Sequence, residues 1–207
     1  MTALPLCAQD PGADLDGSAS LERFLETTRT LRAGFEQALW NSEGQLIEAA
    51  SGTLQLKRPN RFLWSYREPF EQLVVADGAN LWIYDVELGQ ATVSPLDEPA
   101  SATPAMLLSG DQAVREGFEV LESFGAGEID WVRLAPRLEG TDFSTVLIGF
   151  RAGELAGLEL VDGLDQVTEI QFGEVEVNPA IPDDAFDFSP PEEVDVIGEP
   201  LPRGAAR

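Results

Sequence analysis

The sequence predicts a mainly β protein in which one large antiparallel sheet is covered by short helices. Two observations support this fold class. About ten short apolar segments follow one another along the chain, each separated from the next by a short polar turn. Two other segments have the features of amphipathic helices. Sheets with so many strands tend to curl toward a barrel or a half-barrel.

The first structured element is predicted to be a helix over residues 19–38, after a flexible lead-in at residues 9–17. Asp16 and Ser18 are both candidates for its N-cap. Apolar residues recur at helical spacing and form one stripe, which consists of Leu21, Phe24, Leu25, Leu31 and Phe35. Trp40 would then lie where this helix ends.

Strand patterns begin at Gly52 and continue to about residue 96. The segments are GTLQLKR, RFLWSYR, EQLVVAD, NLWIYDV and QATVSPL. The sequence DGAN at 77–80 is a clear hairpin signal. Strands resume later with FEVLESF, DWVRLAP, STVLIGFR, LAGLELVD and VTEIQFGEVEV, and the C-terminal tail is predicted to be extended or mobile.

Several strands carry apolar residues on both faces, as in LVVADGANLWIYDV, so something must cover the second face of the sheet. We expect the helix over 19–38 and a second helix over 104–116 to do so, since Pro104 is typical of a helix start. Such an arrangement encloses an apolar space, which is either a packed core or a ligand cavity. The pattern alone favours the packed core.

The charge balance excludes some partners. Asp and Glu number 37 against 13 Lys and Arg, which gives a net charge of −24. This surface repels nucleic acids and anionic lipid headgroups, so we expect no nucleic-acid partner. Lys57 is the only lysine. An acidic, lysine-poor composition indicates either adaptation to high salt or simple acidic drift, and the sequence does not decide between them.

The chain contains no histidine, and Cys7 is its only cysteine. Zinc hydrolysis and Ser-His-Asp chemistry are therefore excluded in their usual forms. No internal disulfide can form. Paired carboxylates, as in glycosidases, would be the remaining route to an enzyme, but no acidic residue stands in a recognisable motif.

Arg58 is placed unusually for a basic residue. In the predicted strand TLQLKR it shares its parity with Leu54 and Leu56, so it would lie on the apolar face. A buried guanidinium has five donors and needs carbonyls or carboxylates to accept from them. Alternatively, Arg58 ends the strand beside Pro59 and reaches solvent.

Four sequence blocks point to a known family. They are GTLQLKRPNRFLW, LVVADGANLWIYD, TPAMLLSG and FGEVEVNPAIPDDAFDFSPPEEVDVI. Together they resemble LolA, the periplasmic outer-membrane lipoprotein carrier, from about residue 19 to residue 198. The resemblance implies an incomplete, unclosed antiparallel β-barrel of about eleven strands with a lid of short helices. It also implies a cavity for the acyl chains of lipoproteins, without cofactor, metal or catalysis.

The resemblance implies partners as well. Members of the family take acylated lipoproteins from the inner-membrane transporter LolCDE, cross the periplasm as monomers and deliver to the outer-membrane receptor LolB. A related half-barrel, either a LolB-like receptor or an envelope-stress sensor, is the alternative within the same architecture. LolB is lipid-anchored, whereas Cys7 lacks a proper lipidation context because Leu6 precedes it.

Site residues follow from the same resemblance. Arg58 matches the family arginine that bonds to backbone carbonyls of the lid helices and holds the lid closed. Residues expected in the cavity or lid are Leu21, Leu25, Leu31, Leu54, Leu56, Phe62, Trp64, Trp82, Tyr84, Met106 and Leu107. Ordinary helix-on-sheet packing is the alternative for each of these residues.

The predicted domain organisation is simple. Residues 1–17 would be a leader, either the remnant of a secretory signal or disordered. Residues 18–198 would form one carrier domain, and residues 199–207 a mobile tail.

Overall fold

A computed structural model describes residues 17–96, 104–109, 117–137 and 143–202. The helices are α1 (Gly17–Thr27), α2 (Pro104–Ser109) and a 3-10 turn at Asp183–Phe186. None of the helices in these ranges is long and apolar enough to cross a membrane. The strands are β1 (Thr30–Trp40), β2 (Leu46–Lys57), β3 (Arg61–Glu68), β4 (Gln72–Asp77), β5 (Asn80–Asp85), β6 (Gln90–Pro95), β7 (Phe118–Ala126), β8 (Ile129–Pro136), β9 (Phe143–Arg151), β10 (Glu154–Asp162), β11 (Val167–Val177) and β12 (Asp195–Ile197).

The twelve strands form one sheet in the order β12-β6-β5-β4-β3-β2-β1-β11-β10-β9-β8-β7. All neighbours pair antiparallel except β12, which runs parallel to β6. The terminal strands β7 and β12 do not pair with each other. The predicted fold class, an unclosed antiparallel barrel covered by short helices, is therefore confirmed, and β12 lies in the tail that the sequence predicted to be extended or mobile.

The first helix is shorter than predicted, and the second half of the predicted segment is a strand. α1 ends at Thr27, and both Leu31 and Phe35 lie in β1. β1 hydrogen-bonds to β2 on one side and to β11 on the other. Pairing on both sides outweighs the helical spacing, which is also interrupted by Thr28 where an apolar residue is needed. Strands therefore begin at Thr30 rather than at Gly52.

We call the face of the sheet that carries α1 and α2 the inner face. α1 packs across β7 to β10, and α2 packs across β2 and β3. One continuous group of buried apolar side chains, the inner cluster, fills the space between the helices and both halves of the sheet. Its most completely buried members include Leu31, Leu54, Leu56, Phe62, Leu108 and Phe150.

The outer face has a smaller cluster on β4, β5 and β6, built from Val75, Trp82, Ala91 and Val93. The chain after β11 covers it, since Phe188 stacks edge-on against Trp82 with ring centroids 5.4 Å apart. The prediction that the helices cover the second face was wrong for this part of the sheet. Both helices lie on the inner face, and the C-terminal segment covers the outer one.

The predicted domain boundaries lie partly outside the described residues, which include neither residues 1–16 nor residues 203–207. At the C-terminal end, the chain is held to β5 by two hydrogen bonds. The Leu201 N–H donates to Asn80 Oδ1 at 2.7 Å, and Asn80 Nδ2 donates to the Leu201 carbonyl at 3.1 Å. The second half of the predicted helix over 104–116 also lies outside the described residues, since α2 is described to Ser109.

Candidate functional site

The turn between β2 and β3 holds Arg58 at the edge of the inner cluster. β2 ends at Lys57, and the Arg58 N–H donates to the Arg29 carbonyl at 2.9 Å, so the turn is tied to the segment that follows α1. The Arg58–Pro59 peptide is cis, and Asn60 adopts a positive φ of 58°. Because Pro59 has no N–H and a fixed φ, the backbone of this turn has few alternatives.

The Arg58 side chain donates hydrogen bonds to both helices. Nη1 lies 3.2 Å from the carbonyl oxygen of Phe24 and 2.8 Å from that of Leu25, in the last turn of α1. Nε and Nη2 lie 3.2 Å and 3.0 Å from the carbonyl oxygen of Leu108, near the end of α2. One guanidinium thus holds the C-terminal ends of two helices together. We call these four contacts the latch and the two helices the lid.

The chemistry of the helix ends explains why an arginine is found here. The last four carbonyls of a helix have no partner within it, and the helix dipole makes this end negative. Neither α1 nor α2 has a basic residue in its last turn. Arg58 supplies that charge from the sheet, and its guanidinium also lies 4.8 Å from the centre of the Phe24 ring, within cation–π range.

The space beneath the lid is filled by side chains in this structure. Phe24 of α1 contacts Phe150 of β9, with ring centroids 5.9 Å apart. Leu107 and Leu108 of α2 are buried in the inner cluster, and Met106 packs against it. The lid therefore lies directly on the apolar face, and an apolar ligand would have to displace it.

Aromatic side chains form the part of the inner cluster that is farther along the strands from Arg58. Phe35 and Phe172 lie on either side of Trp64, with ring centroids 4.8 Å and 6.2 Å from it. The Tyr66 hydroxyl donates to Gln37 Oε1 at 3.1 Å, and burial raises the pKa of Tyr66 to about 12. A pocket of about 230 Å³ opens beside Tyr66 and Gln37 at this end of the barrel.

The structure brings together nine of the eleven residues predicted for the cavity or lid. Eight belong to the inner cluster and Met106 packs against it; the eight are Leu21, Leu25, Leu31, Leu54, Leu56, Phe62, Trp64 and Leu107. Leu31 does so from β1 rather than from a helix. Trp82 and Tyr84 are placed differently, because both side chains lie on the outer face against Phe188. They do not share a space with the other nine.

Sequence reasoning missed some residues of this site. The resemblance predicted backbone carbonyls of the lid helices as acceptors for Arg58, but no side-chain pattern marked Phe24 and Leu108 as the residues that supply them. Phe35 and Phe172 were missed as partners of Trp64. The alternation of Leu31, Ala33 and Phe35 in β1 was the available signal for Phe35, since these residues share one face of a strand.

The C-terminal segment ties the region around the latch together. Asn178, with a positive φ of 58°, accepts from the N–H groups of Arg29 and Thr30 at 2.7 and 3.3 Å and donates to the Thr27 carbonyl at 3.0 Å. Asn178 therefore ties the last residue of α1 to the first residue of β1.

A second tie lies beside the latch turn. Asp183 forms ion pairs with Lys57 at 2.6 Å and with Arg61 at 3.0 Å. The hydrogen bond and the charge of Lys57, aided by Arg61, hold the pKa of Asp183 below its ordinary value. Lys57 also donates to the Ile181 carbonyl at 3.0 Å. The two residues that flank the latch turn are thus anchored to the same short segment.

Two carboxylates lie directly opposite each other in the sheet, Glu159 of β10 and Glu169 of β11. Burial and the charge of Glu169 raise the pKa of Glu159. Trp40 donates to Glu169 at 3.1 Å. Leu158, Leu160 and Ile170 point inward, so this pair faces outward and lies outside the site beneath the lid. The described residues contain no group of three or more His, Cys, Asp or Glu side chains that could hold a metal ion.

An unclosed antiparallel barrel with two lid helices held by one arginine defines the class of this protein as a helix-lidded half-barrel. The model of the family described as "Outer membrane lipoprotein carrier protein LolA" matches residues 26–189. The chain belongs to this family.

Named relatives agree with this assignment. The outer-membrane lipoprotein carrier protein of Nitrosospira multiformis is 42% identical over 184 residues, covering 88% of this chain and 89% of the relative. The protein of the same name from Halorhodospira halophila is 43% identical over 178 residues, covering 86% and 83%.

Solved structures with low identity show the same fold. An uncharacterized conserved protein from Thermus thermophilus aligns with a TM-score of 0.54 and 13% identity, over 87% of this chain and 98% of that one. A putative outer membrane lipoprotein-sorting protein domain from Vibrio parahaemolyticus aligns with a TM-score of 0.50 and 11% identity, over 82% and 94%.

Proposed function

We propose that this protein is a periplasmic carrier that binds the acyl chains of lipoproteins between its lid and the inner face of its sheet. It takes lipoproteins from a LolCDE-type transporter in the inner membrane and delivers them to a LolB-type receptor in the outer membrane. No covalent bond is made or broken in this cycle. The observation that supports the proposal most directly is the latch, in which Arg58 closes both helices over an apolar face.

The need for a carrier follows from the cost of exposing acyl chains to water. Each buried methylene is worth about 0.8 kcal/mol, so a chain of about fifteen methylenes accounts for roughly 12 kcal/mol. A lipoprotein with two or three such chains cannot cross an aqueous space unaided. The inner cluster offers an apolar surface of this kind on both halves of the sheet.

The closed lid addresses the opposite problem, which is release. A preformed cavity as apolar as this cluster would hold an acyl chain too tightly for delivery. In this structure cargo has to separate the latch and displace Phe24, Leu107 and their neighbours. The free energy needed to open the lid reduces the apparent affinity by the same amount. Transfer to a receptor with a more open site is then favourable.

The proposal is tested by what the protein carries in a cell. Wild type and Arg58→Leu are expressed in the periplasm of a Gram-negative host, purified, and their bound molecules identified by mass spectrometry. The control is Arg32→Leu, which removes an exposed arginine paired with a glutamate on the neighbouring strand. We expect acylated lipoproteins on Arg58→Leu in clear excess over wild type and Arg32→Leu, because the closed empty state loses its stabilisation.

The other outcomes are informative. Lipoproteins at equal levels on all three proteins would support the carrier and refute the latch. If none of the three carries lipoprotein, the carrier proposal is refuted. Adding a purified LolB-type receptor to the loaded proteins tests delivery: wild type should lose its cargo to the receptor, whereas Arg58→Leu should retain it.

A further inference from the structure

One polar atom in the inner cluster is left unsatisfied. The indole N–H of Trp64 is buried and finds no hydrogen-bond acceptor among the described residues. Trp64 itself is only 2% exposed. Buried donors in proteins nearly always have a partner, because a donor removed from water without an acceptor is costly. No other side-chain nitrogen or oxygen in the described ranges is buried and unpaired in this way.

The surroundings of Trp64 explain why no acceptor is supplied from within. Its ring is surrounded by Phe35, Phe172 and Tyr66. The Trp64 indole N–H lies close enough to the Tyr66 oxygen to lower the pKa of Tyr66 slightly, against the larger effect of burial. The geometry between the two groups does not meet that of a hydrogen bond. Tyr66 instead donates to Gln37. With the lid closed, the protein therefore leaves the Trp64 donor available inside an otherwise apolar space.

We propose that Trp64 Nε1 donates a hydrogen bond to the ester carbonyl of a bound acyl chain. This inference rests on the proposed function and adds a polar contact to a site that is otherwise apolar. An acyl ester has one strong acceptor, its carbonyl oxygen, at the junction between chain and head group. The pocket beside Tyr66 and Gln37 provides a polar opening near this position, so the chain lies along the inner cluster and its ester reaches Trp64.

The outer-face tryptophan provides a matched comparison within the same chain. Trp82 is also buried, but its Nε1 donates to Asp77 Oδ2 at 3.3 Å. Its N–H is therefore already used by the protein and lies in the outer cluster. A ligand beneath the lid should depend on Trp64 and not on Trp82.

The test uses two lipids that differ only in the acceptor. Wild type, Trp64→Phe and Trp82→Phe are titrated with a short-chain diacyl glycerophospholipid and with the corresponding dialkyl ether lipid, which lacks both carbonyls. We expect wild type and Trp82→Phe to prefer the ester lipid by about tenfold, the effect of one buried hydrogen bond. Trp64→Phe should bind both lipids with the affinity that wild type shows for the ether.

A second measurement does not depend on a substitution at Trp64. In the 1H–15N spectrum of wild type, the ester lipid should move the Trp64 indole resonance downfield, whereas the ether lipid should not. An ester preference that survives in Trp64→Phe, or an equal shift with both lipids, overturns the inference and leaves the carrier intact. A wild type that binds both lipids equally also overturns it. Failure of wild type to bind either lipid overturns it too, whereas the carrier itself is judged by the lipoproteins that it carries in a cell.

Discussion

The latch makes a quantitative prediction about ligand affinity. Arg58 donates four hydrogen bonds to the described carbonyls of the lid, two to α1 and two to α2, at distances of 2.8 to 3.2 Å. Hydrogen bonds to a charged group contribute about 1.5–3 kcal/mol each to stability. The four bonds share one guanidinium and three carbonyls, and water replaces them when the lid opens. We therefore count about one such bond per helix, which gives roughly 3 kcal/mol or more for closure.

This closing free energy appears in the binding constant. When only a small fraction of the protein is in the open state that can bind, the apparent affinity for the ligand is reduced by that fraction. Arg58→Leu should therefore bind a fluorescent fatty-acid probe about a hundredfold more tightly than wild type, since every 1.4 kcal/mol is tenfold. Most of the change should lie in a faster association rate, measured by rapid mixing of probe and protein, because the latch is already open in the bound state and does not affect dissociation.

Two further variants sharpen the measurement. Arg58→Lys keeps the charge but replaces a planar fork with a single ammonium, which cannot bond both helices in the same way. It should bind about tenfold more tightly than wild type, between the two extremes. Arg32→Leu should bind like wild type. If Arg58→Leu and wild type bind the probe within about threefold of each other, the latch does not control access and the reasoning fails.

Two other predictions concern the ties around the latch. Asn178→Ala should lower the free energy of unfolding by about 2–3 kcal/mol, measured with urea, because two backbone donors and one carbonyl lose their partner. Asn178→Gly, which tolerates the positive φ, separates this loss from backbone strain, and a wild-type midpoint in both variants would contradict the assignment. The pKa of Asp183 is lower in the folded protein than its ordinary value of 3.8. The ion pairs of Asp183 therefore stabilise the fold at pH values above 3.8, and this contribution is lost as the pH falls through the lowered pKa. At neutral pH and low salt, wild type should have a higher melting temperature than Asp183→Asn. This difference in melting temperature should vanish in acid or in high salt, and a difference that depends on neither pH nor salt would refute this role.

Local patterns were sufficient to predict much of the sheet. The strand segments from GTLQLKR to VTEIQFGEVEV correspond to β2 through β11, and the DGAN turn joins β4 to β5. The alternation of Leu54 and Leu56 with polar neighbours correctly placed both on the buried face. Arg58 continues the same parity, and the chemistry of a buried guanidinium required carbonyl acceptors. The residues alone did not say that these acceptors would come from two different helices.

Other features depend on partners distant in sequence. The helical spacing from Leu21 to Phe35 extends across Thr27 and Thr28, and only pairing with β2 and β11 makes residues after Thr30 a strand. Thr27 itself bonds back to the Arg23 carbonyl at 2.8 Å, a contact typical of a helix end.

After a hairpin, the pairing register also decides which residues of the second strand point to which face of the sheet. Val75 pairs with Trp82, so an odd-numbered residue of β4 shares its face with an even-numbered residue of β5. Parity counted along the sequence cannot show this exchange. Phe188, which covers Trp82, lies in a segment without periodicity, and its position depends on the whole sheet.

The missing pairing between β7 and β12 has a mechanical consequence. In a closed barrel the number of strands and their stagger fix the diameter, and widening it would require breaking a complete ring of backbone hydrogen bonds. Here the ring has a gap. A change in twist between neighbouring strands can alter the girth of the barrel while every existing ladder stays paired. For the proposed carrier, such widening would make room for hydrocarbon chains without unfolding any part of the sheet.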